Sequence, residues 1–224
     1  FNVIFLFKEH KLFLFKVISM KYFIDYIFLL IIFPIFTVVF PIISLFILLF
    51  DSGPVIYSQK RVGLNGQEFK LHKFRTMSVS SDEKIHKDHF KDLSQNKKIE
   101  PSLTPDDPIR IENDDRITKI GSFLRKTSLD ELPNILNVLK GQMSFVGPRP
   151  LVKYESDLYG EYKEKRNSIK PGITGLAQIQ GRLDLSLQER LYWDIKYVDK
   201  KSFNYDLIII LKTIYSVLSR RGAN

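Results

Sequence analysis

From Tyr26 to Phe50 the chain runs for 25 residues without a charged side chain. As one straight α-helix this stretch would measure roughly 37 Å, longer than the roughly 30 Å hydrocarbon core of a bilayer. Such a run belongs in or against lipid, where the backbone must bond to itself and so is helical. Its commonest meaning is a single spanning helix, but two details oppose that. Pro34 and Pro41 interrupt the run, and each deletes a helix hydrogen bond. Cations flank both ends, with Lys8, Lys11, Lys16 and Lys21 before it and Lys60, Arg61, Lys70, Lys73 and Arg75 after it. A spanning helix shows a one-sided bias, so both flanks read as cytoplasmic. A helix that enters, bends at a proline and returns satisfies both observations. The bend is expected at Pro41, with Pro34 as the other position, and Thr37 or Ser44 can bond a carbonyl that proline frees.

Lys and Arg total 34 against 25 Asp and Glu, a net charge of +9, which suits an anionic partner such as a membrane surface or a phosphorylated ligand. Nucleic acid is disfavoured as a partner, because the basic residues are not interleaved with an aromatic stacking platform. There is no cysteine, which excludes disulfides, thiolate catalysis and cysteine-based zinc sites. Of the four histidines, His10, His72, His86 and His89, the last two share a His-x-x-His spacing. They lie in a lysine-rich stretch without a third ligand and read as surface residues.

Residues 1–19 are too charged to span and show no small-residue cleavage site, so they read as an N-terminal extension. They precede a membrane element over 20–50 and a catalytic domain over 51–224. Within that domain, Val55-Ile56-Tyr57 and Phe69 to Phe74 around Asn65-Gly66 predict a short β-hairpin. Residues 78–113 are polar, contain Pro101, Pro105 and Pro108 and lack an apolar period, which predicts a mobile insertion. Leu151 to Asn167 and Leu187 to Val198 have helical composition. From Asp206, the residues Leu207, Ile210, Leu211, Ile214, Val217 and Leu218 recur at helical spacing, as in a helix lying on the membrane or the core. The resulting fold class is α+β, a small hairpin among amphipathic helices.

The chemistry concentrates in Thr127-Ser128-Leu129-Asp130-Glu131-Leu132-Pro133-Asn134. Ser128-x-x-Glu131 matches a capping box, in which both residues only close a helix end. Pro133 would then fall beyond the first turn and break a backbone bond, which moves the helix start later and leaves Asp130 and Glu131 at its mouth. Adjacent carboxylates there can divide the tasks of metal binding and nucleophilic attack. Arg125, Arg149 and Arg182 stand near glycine or proline, and a planar guanidinium suits phosphate oxygens. Lys73 and Arg75 make the same case with less force.

Leu124-Arg125-Lys126 before the carboxylates is followed by Gly147-Pro148-Arg149-Pro150, then Lys170-Pro171-Gly172-Ile173-Thr174-Gly175 and Gly181-Arg182. Upstream stand Gly53-Pro54-Val55, Gln59-Lys60-Arg61-Val62-Gly63 and Lys73-Phe74-Arg75-Thr76-Met77. In this order the motifs resemble the bacterial sugar transferases, monotopic polyprenyl-phosphate phosphoglycosyl transferases, from about Asp51 to Leu218. The resemblance implies a re-entrant N-terminal helical hairpin, though its usual Ser-Pro bend is here Phe33-Pro34 and Phe40-Pro41. Met20 to Asp25 looks like the opening of a short member without a further multi-helix membrane domain. It implies transfer of a phosphosugar from a UDP-sugar to undecaprenyl phosphate at the cytoplasmic face of the bacterial inner membrane, with release of UMP. Asp130 would be the covalent nucleophile, Glu131 the ligand of Mg²⁺, and Lys73, Arg75, Arg125, Arg149, Arg182 and Asp206 substrate-site residues. Inner-membrane lipids and other glycan-assembly enzymes are the implied partners. The rival readings are a metal-dependent membrane phosphohydrolase and a basic membrane adaptor without catalysis.

Overall fold

The computed structural model describes residues 2–51, 53–78, 88, 90–92, 99, 101, 103 and 116–219, with side chains from residue 23 onward apart from 183 and 218. Helix α1 spans Asn2–Phe50 and runs through both Pro34 and Pro41 without a break. This differs from two helices joined by a turn: any bend is a kink inside one helix. Two hydroxyls serve the carbonyls near the prolines, Thr37 Oγ1 donating to Pro34 O at 2.7 Å and Ser44 Oγ to Phe40 O at 2.7 Å. The part from Phe23 to Phe50 is long and apolar enough to cross a membrane.

One face of α1 is covered by the rest of the protein along this whole stretch. Ile24, Leu29, Phe36, Ile43 and Ile47 are buried, a span of roughly 35 Å at 1.5 Å per residue. Near its start, Asp25 is buried and its Oδ1 accepts from Ser144 Oγ and from Phe145 N, both at 2.9 Å. Near its end, Ile43 and the fully buried Ile47 pack with Phe74 and Leu124, a burial worth about 1.5–3 kcal/mol for a side chain of that size. The remaining surface of the helix carries Leu30, 79% exposed, with Ile31, Ile35, Val38, Leu45, Leu49 and Phe50. An apolar surface this extended is what a lipid phase would cover.

The hairpin forms as expected. Strand β1 (Ile56–Val62) pairs antiparallel with β2 (Glu68–Phe74), from Ile56 opposite Phe74 to Val62 opposite Glu68. Asn65 (φ 53) and Gly66 (φ 78) take the left-handed backbone that the turn needs. Helix α2 (Lys119–Lys126) leads into a 3₁₀ turn, Leu129–Asn134, and helix α3 (Ile135–Leu139).

A second sheet, not anticipated, pairs β3 (Ser144–Val146) in parallel with β4 (Gly172–Thr174). It lays the Gly147-Pro148-Arg149 turn on Lys170-Pro171-Gly172, with Gly147 N donating to Thr174 O and Gly172 N to Pro148 O, both at 2.9 Å. A Cβ on Gly172 would stand 2.1 Å from Gly147 N, so only glycine permits this approach.

Between β3 and β4 the chain forms two short helices, α4 (Lys153–Asp157) and α5 (Tyr162–Asn167), where one longer helix was expected. Helix α6 (Leu176–Gln180) precedes α7 (Leu187–Lys200) and α8 (Phe203–Leu218). The apolar stripe of α8 is split: Ile209 and Ile210 enter the main core with Ile24, Leu29 and Phe145, while Leu207, Ile208, Leu211 and Ile214 are exposed. Within 78–113, Phe90 and Ile99 are buried against Leu151, Tyr159, Leu187 and Leu191, so the polar segment is anchored at two points. His86, His89, Pro105 and Pro108 lie outside the described residues.

Candidate active site

Three elements bring charged groups together: Lys73 from β2, Asp130 and Glu131 from the 3₁₀ turn, and Arg149 from the turn after β3. Lys73 Nζ lies 2.6 Å from Glu131 Oε1 and 3.4 Å from Asp130 Oδ2. Arg149 Nη1 donates to the same Glu131 oxygen at 2.8 Å. Two cations therefore share one carboxylate oxygen, beside a second carboxylate that is nine-tenths buried.

The backbone explains this placement. Ser128 adopts a left-handed conformation (φ 56, ψ 17) and its side chain makes no cap bond, so the capping-box reading of Ser128 and Glu131 is overturned. Pro133 has no N–H to donate, and the segment tightens into a 3₁₀ turn that aims Glu131 at the cations. The α-helix proper starts at Ile135, later than a Ser128 cap would put it. With five residues its dipole is too short to favour anions, and the side-chain cations take that role.

The two carboxyls are pushed apart. Burial raises Asp130 above its ordinary value, against the pull of Lys73, and the neighbouring Glu131 charge adds to the rise. Burial also works to raise Glu131, but Lys73 and Arg149 overcome it and hold the carboxyl at about 2. Splitting of this kind separates the roles of paired carboxylates.

Arg149 is fixed from behind as well. Its carbonyl accepts from Arg166 Nη2 at 2.7 Å, and Arg166 Nε donates to Asp194 Oδ2 at 2.8 Å in a buried pair. Arg125 donates from Nε to Thr76 Oγ1 at 2.9 Å and is near enough to favour the ionised form of Asp130.

The other expected site residues have these surroundings. Arg75 is buried and donates to the Asp51 carbonyl at 3.1 Å, tying β2 to the end of α1. Asp206, 3% exposed, accepts from Tyr197 OH at 2.6 Å. That phenol also bonds Val146 O, so the carboxylate braces β3 from behind. Arg182 opens a short 3₁₀ turn, Arg182–Asp184, with a left-handed backbone of φ 56. Conversely, Arg61 and Asn134 line a cleft with Lys73, Glu131 and Arg149, above the apolar Leu71 and Met143. Arg61 belongs to the Gln59 to Gly63 motif, whereas Asn134 carries no signal in the sequence beyond its nearness to Glu131.

No set of three or more metal-binding side chains gathers among the described residues. Two adjacent carboxylates fit Mg²⁺, which is held by one or two carboxylates completed by substrate oxygens and water.

Comparison with known proteins places the chain among sugar transferases. The profile described as bacterial sugar transferase matches residues 16–220. The chain is 44% identical over 173 residues to the undecaprenyl-phosphate galactose phosphotransferase of Salmonella typhimurium, covering 77% of this chain and 35% of that protein. It is 40% identical over 194 residues to the exopolysaccharide production protein ExoY of Rhizobium meliloti, covering 84% and 80%. To the UDP-glucose:undecaprenyl-phosphate glucose-1-phosphate transferase of Escherichia coli it is 36% identical over 189 residues, covering 81% and 36%. The chain thus spans little more than a third of the longer relatives and most of ExoY.

Proposed function

The chain belongs to the bacterial sugar transferase family, and from that premise we propose that it transfers a phosphosugar from a UDP-sugar to undecaprenyl phosphate. The products are undecaprenyl-diphosphate-sugar and UMP, the first membrane step of a surface or secreted glycan. The observation that carries this reading is the adjacent pair Asp130 and Glu131 held against Lys73 and Arg149.

In the first step an Asp130 carboxylate oxygen attacks the sugar-bearing phosphorus, and the bond from that phosphorus to the bridging oxygen breaks. UMP leaves with the electron pair, and the phosphosugar stays on Asp130. In the second step an oxygen of undecaprenyl phosphate attacks the same phosphorus, forming the lipid diphosphate and restoring the carboxylate. Burial makes Asp130 more basic and hence a better nucleophile once ionised. Lys73 and Arg149 supply donors for the oxygens that gain charge in the transition state. Mg²⁺, held by Glu131, would offset the diphosphate charge and polarise the phosphoryl group.

The covered face of α1 supports a monotopic placement. Because the catalytic domain packs on this helix near both Asp25 and Ile47, a helix spanning the bilayer would drag the domain into the hydrocarbon. The helix re-enters by a kink at Pro41 or Pro34, with the catalytic domain on the cytoplasmic face of the inner membrane. Cysteines placed at Lys16 and at Lys60 are then labelled only from the cytoplasmic side; labelling of either from outside intact cells establishes a spanning helix.

The reaction is tested by UMP release from a panel of UDP-sugars with and without undecaprenyl phosphate. Lipid-dependent turnover is the expected result. Free sugar phosphate formed without lipid identifies a phosphohydrolase, and no release with any donor identifies an adaptor.

A further inference from the structure

The cleft contains two buried polar atoms that the transfer chemistry leaves unused. Asn134 is 1% exposed, follows Glu131 on the 3₁₀ turn, and its Oδ1 has no hydrogen-bond partner among the described residues. Arg61 Nε is equally unpartnered among them, although Nη1 donates to Pro150 O at 3.2 Å and Nη2 to Gln59 Oε1 at 2.6 Å. Both side chains line the cleft that Lys73, Glu131 and Arg149 share. A buried carbonyl without a donor costs about 1–3 kcal/mol, and native proteins keep few such groups without a use for them.

One of these atoms accepts and the other donates. A hydroxyl suits either kind of atom, since its O–H can donate to an acceptor such as Asn134 Oδ1 and its lone pairs can accept from a donor such as Arg61 Nε. A phosphate oxygen only accepts and would leave Asn134 unpaired. Resting on the transferase reading, we propose that Asn134 and Arg61 bind a hydroxyl of the transferred sugar and thereby select the donor. The sugar suits this position better than the ribose. It is bonded directly to the phosphorus that Asp130 attacks, and Asn134 stands about one turn from Asp130, whereas the ribose lies one phosphate farther away.

The test compares kcat/KM for UMP release from UDP-galactose or UDP-glucose, whichever the enzyme uses, with that from each ring-monodeoxy analogue and from the 2′-deoxyuridine analogue. The wild-type enzyme is expected to lose at least about tenfold with one ring-deoxy donor, because a site built for a hydroxyl rejects the analogue lacking it. The ribose analogue should lose less than about threefold. In Asn134→Leu the gap between parent and ring-deoxy donor collapses to less than about threefold. Its melting temperature does not fall, since the amide oxygen has no protein donor to lose among the described residues. Asn134→Ala gives the same readout should leucine prove too large.

Equal use of all ring-deoxy donors by the wild type, a penalty confined to the ribose analogue, or a gap that survives Asn134→Leu would overturn the subsite. A lower melting temperature in both Asn134 variants would likewise make the amide a structural group. If the wild type releases UMP from no UDP-sugar, the transferase reading fails and the subsite falls with it; normal release without the gap removes the subsite alone.

Discussion

Ser128-Leu129-Asp130-Glu131 and Ser186-Leu187-Gln188-Glu189 differ at one position, yet they do unlike work. At the second, Ser186 is extended and its Oγ accepts from Glu189 N at 3.2 Å, while Glu189 Oε2 accepts from Ser186 N at 2.9 Å. This is a complete capping box, and it opens the 14-residue α7. At the first, Ser128 is left-handed and caps nothing, and Glu131 turns to Lys73 and Arg149. The fifth residue after each serine separates them. Leu191 keeps its backbone donor and buries its side chain in the core, whereas Pro133 has no donor and tightens the chain into a 3₁₀ turn. The cations then offer Glu131 a stronger partner than a backbone N–H. A cap pattern is therefore decided by the residues after it and by the groups that the fold sets opposite its carboxylate.

The largest expected effect tests this contrast at its centre. Glutamine serves a capping box as well as glutamate does, so Glu189→Gln should change turnover by less than about twofold. Glu131→Gln loses the charge that two cations grip and should cost at least about 10²-fold in kcat. A Glu131→Gln enzyme with near-normal kcat would return the first segment to the status of a cap.

Next in size is Arg149→Lys, which keeps the charge but loses the planar fork. Its kcat/KM should fall about tenfold or more while the melting temperature moves little. Equal activity would argue against guanidinium contact with phosphate.

The acidities give a pH signature that the capping segment lacks. Asp130 must be ionised to attack, so kcat/KM should fall on the acid side with an apparent pKa above the ordinary 3.8. Arg125→Gln removes a charge that favours the ionised form and should move this limb to higher pH. For stability the two carboxyls act oppositely. Glu131 contributes above its ordinary 4.5, and this contribution is lost as pH falls toward about 2. Asp130, raised by burial, favours the fold while neutral, and that contribution is lost as pH rises through its elevated value. Acid unfolding of Glu131→Gln followed between pH 5 and 2 should accordingly show a shallower loss than the wild type.

The smallest effects concern the serines. Ser186→Ala should destabilise by about 1 kcal/mol without touching turnover. Ser128→Gly should leave the melting temperature unchanged or raise it, because glycine relieves a left-handed backbone that bonds no cap.

Legibility in the sequence divides along the same line between local and distant causes. Helix α1 and the β1–β2 hairpin could be read because charge-free length and an Asn-Gly turn are local signals. The β3–β4 pair could not, since three-residue strands that meet through Gly147 and Gly172 leave no periodicity. The stripe on α8 was visible, but spacing alone does not say that Ile209 and Ile210 face protein while Leu207 and Leu211 do not. Motif order singled out Lys73, Asp130, Glu131 and Arg149, and the fold sets these four side chains together. The contacts of Arg75 with Asp51 and of Asp206 with Tyr197 could not be read, since a side chain's destination depends on neighbours distant in the chain. Asn134 escaped notice because an amide oxygen without a partner among the described residues is visible only once its surroundings are assembled.

The central claim is that Asp130 forms a covalent bond to the phosphosugar, and the intact mass of the protein tests it most directly. Incubated with Mg²⁺ and its UDP-sugar before any lipid is added, the wild-type enzyme should gain one phosphosugar and release UMP. Asp130→Asn should stay folded and membrane-bound yet gain nothing and turn over nothing. A phosphosugar adduct on Asp130→Asn, or near-normal turnover by it, would contradict the claim and leave direct attack of the lipid phosphate on the UDP-sugar as the mechanism.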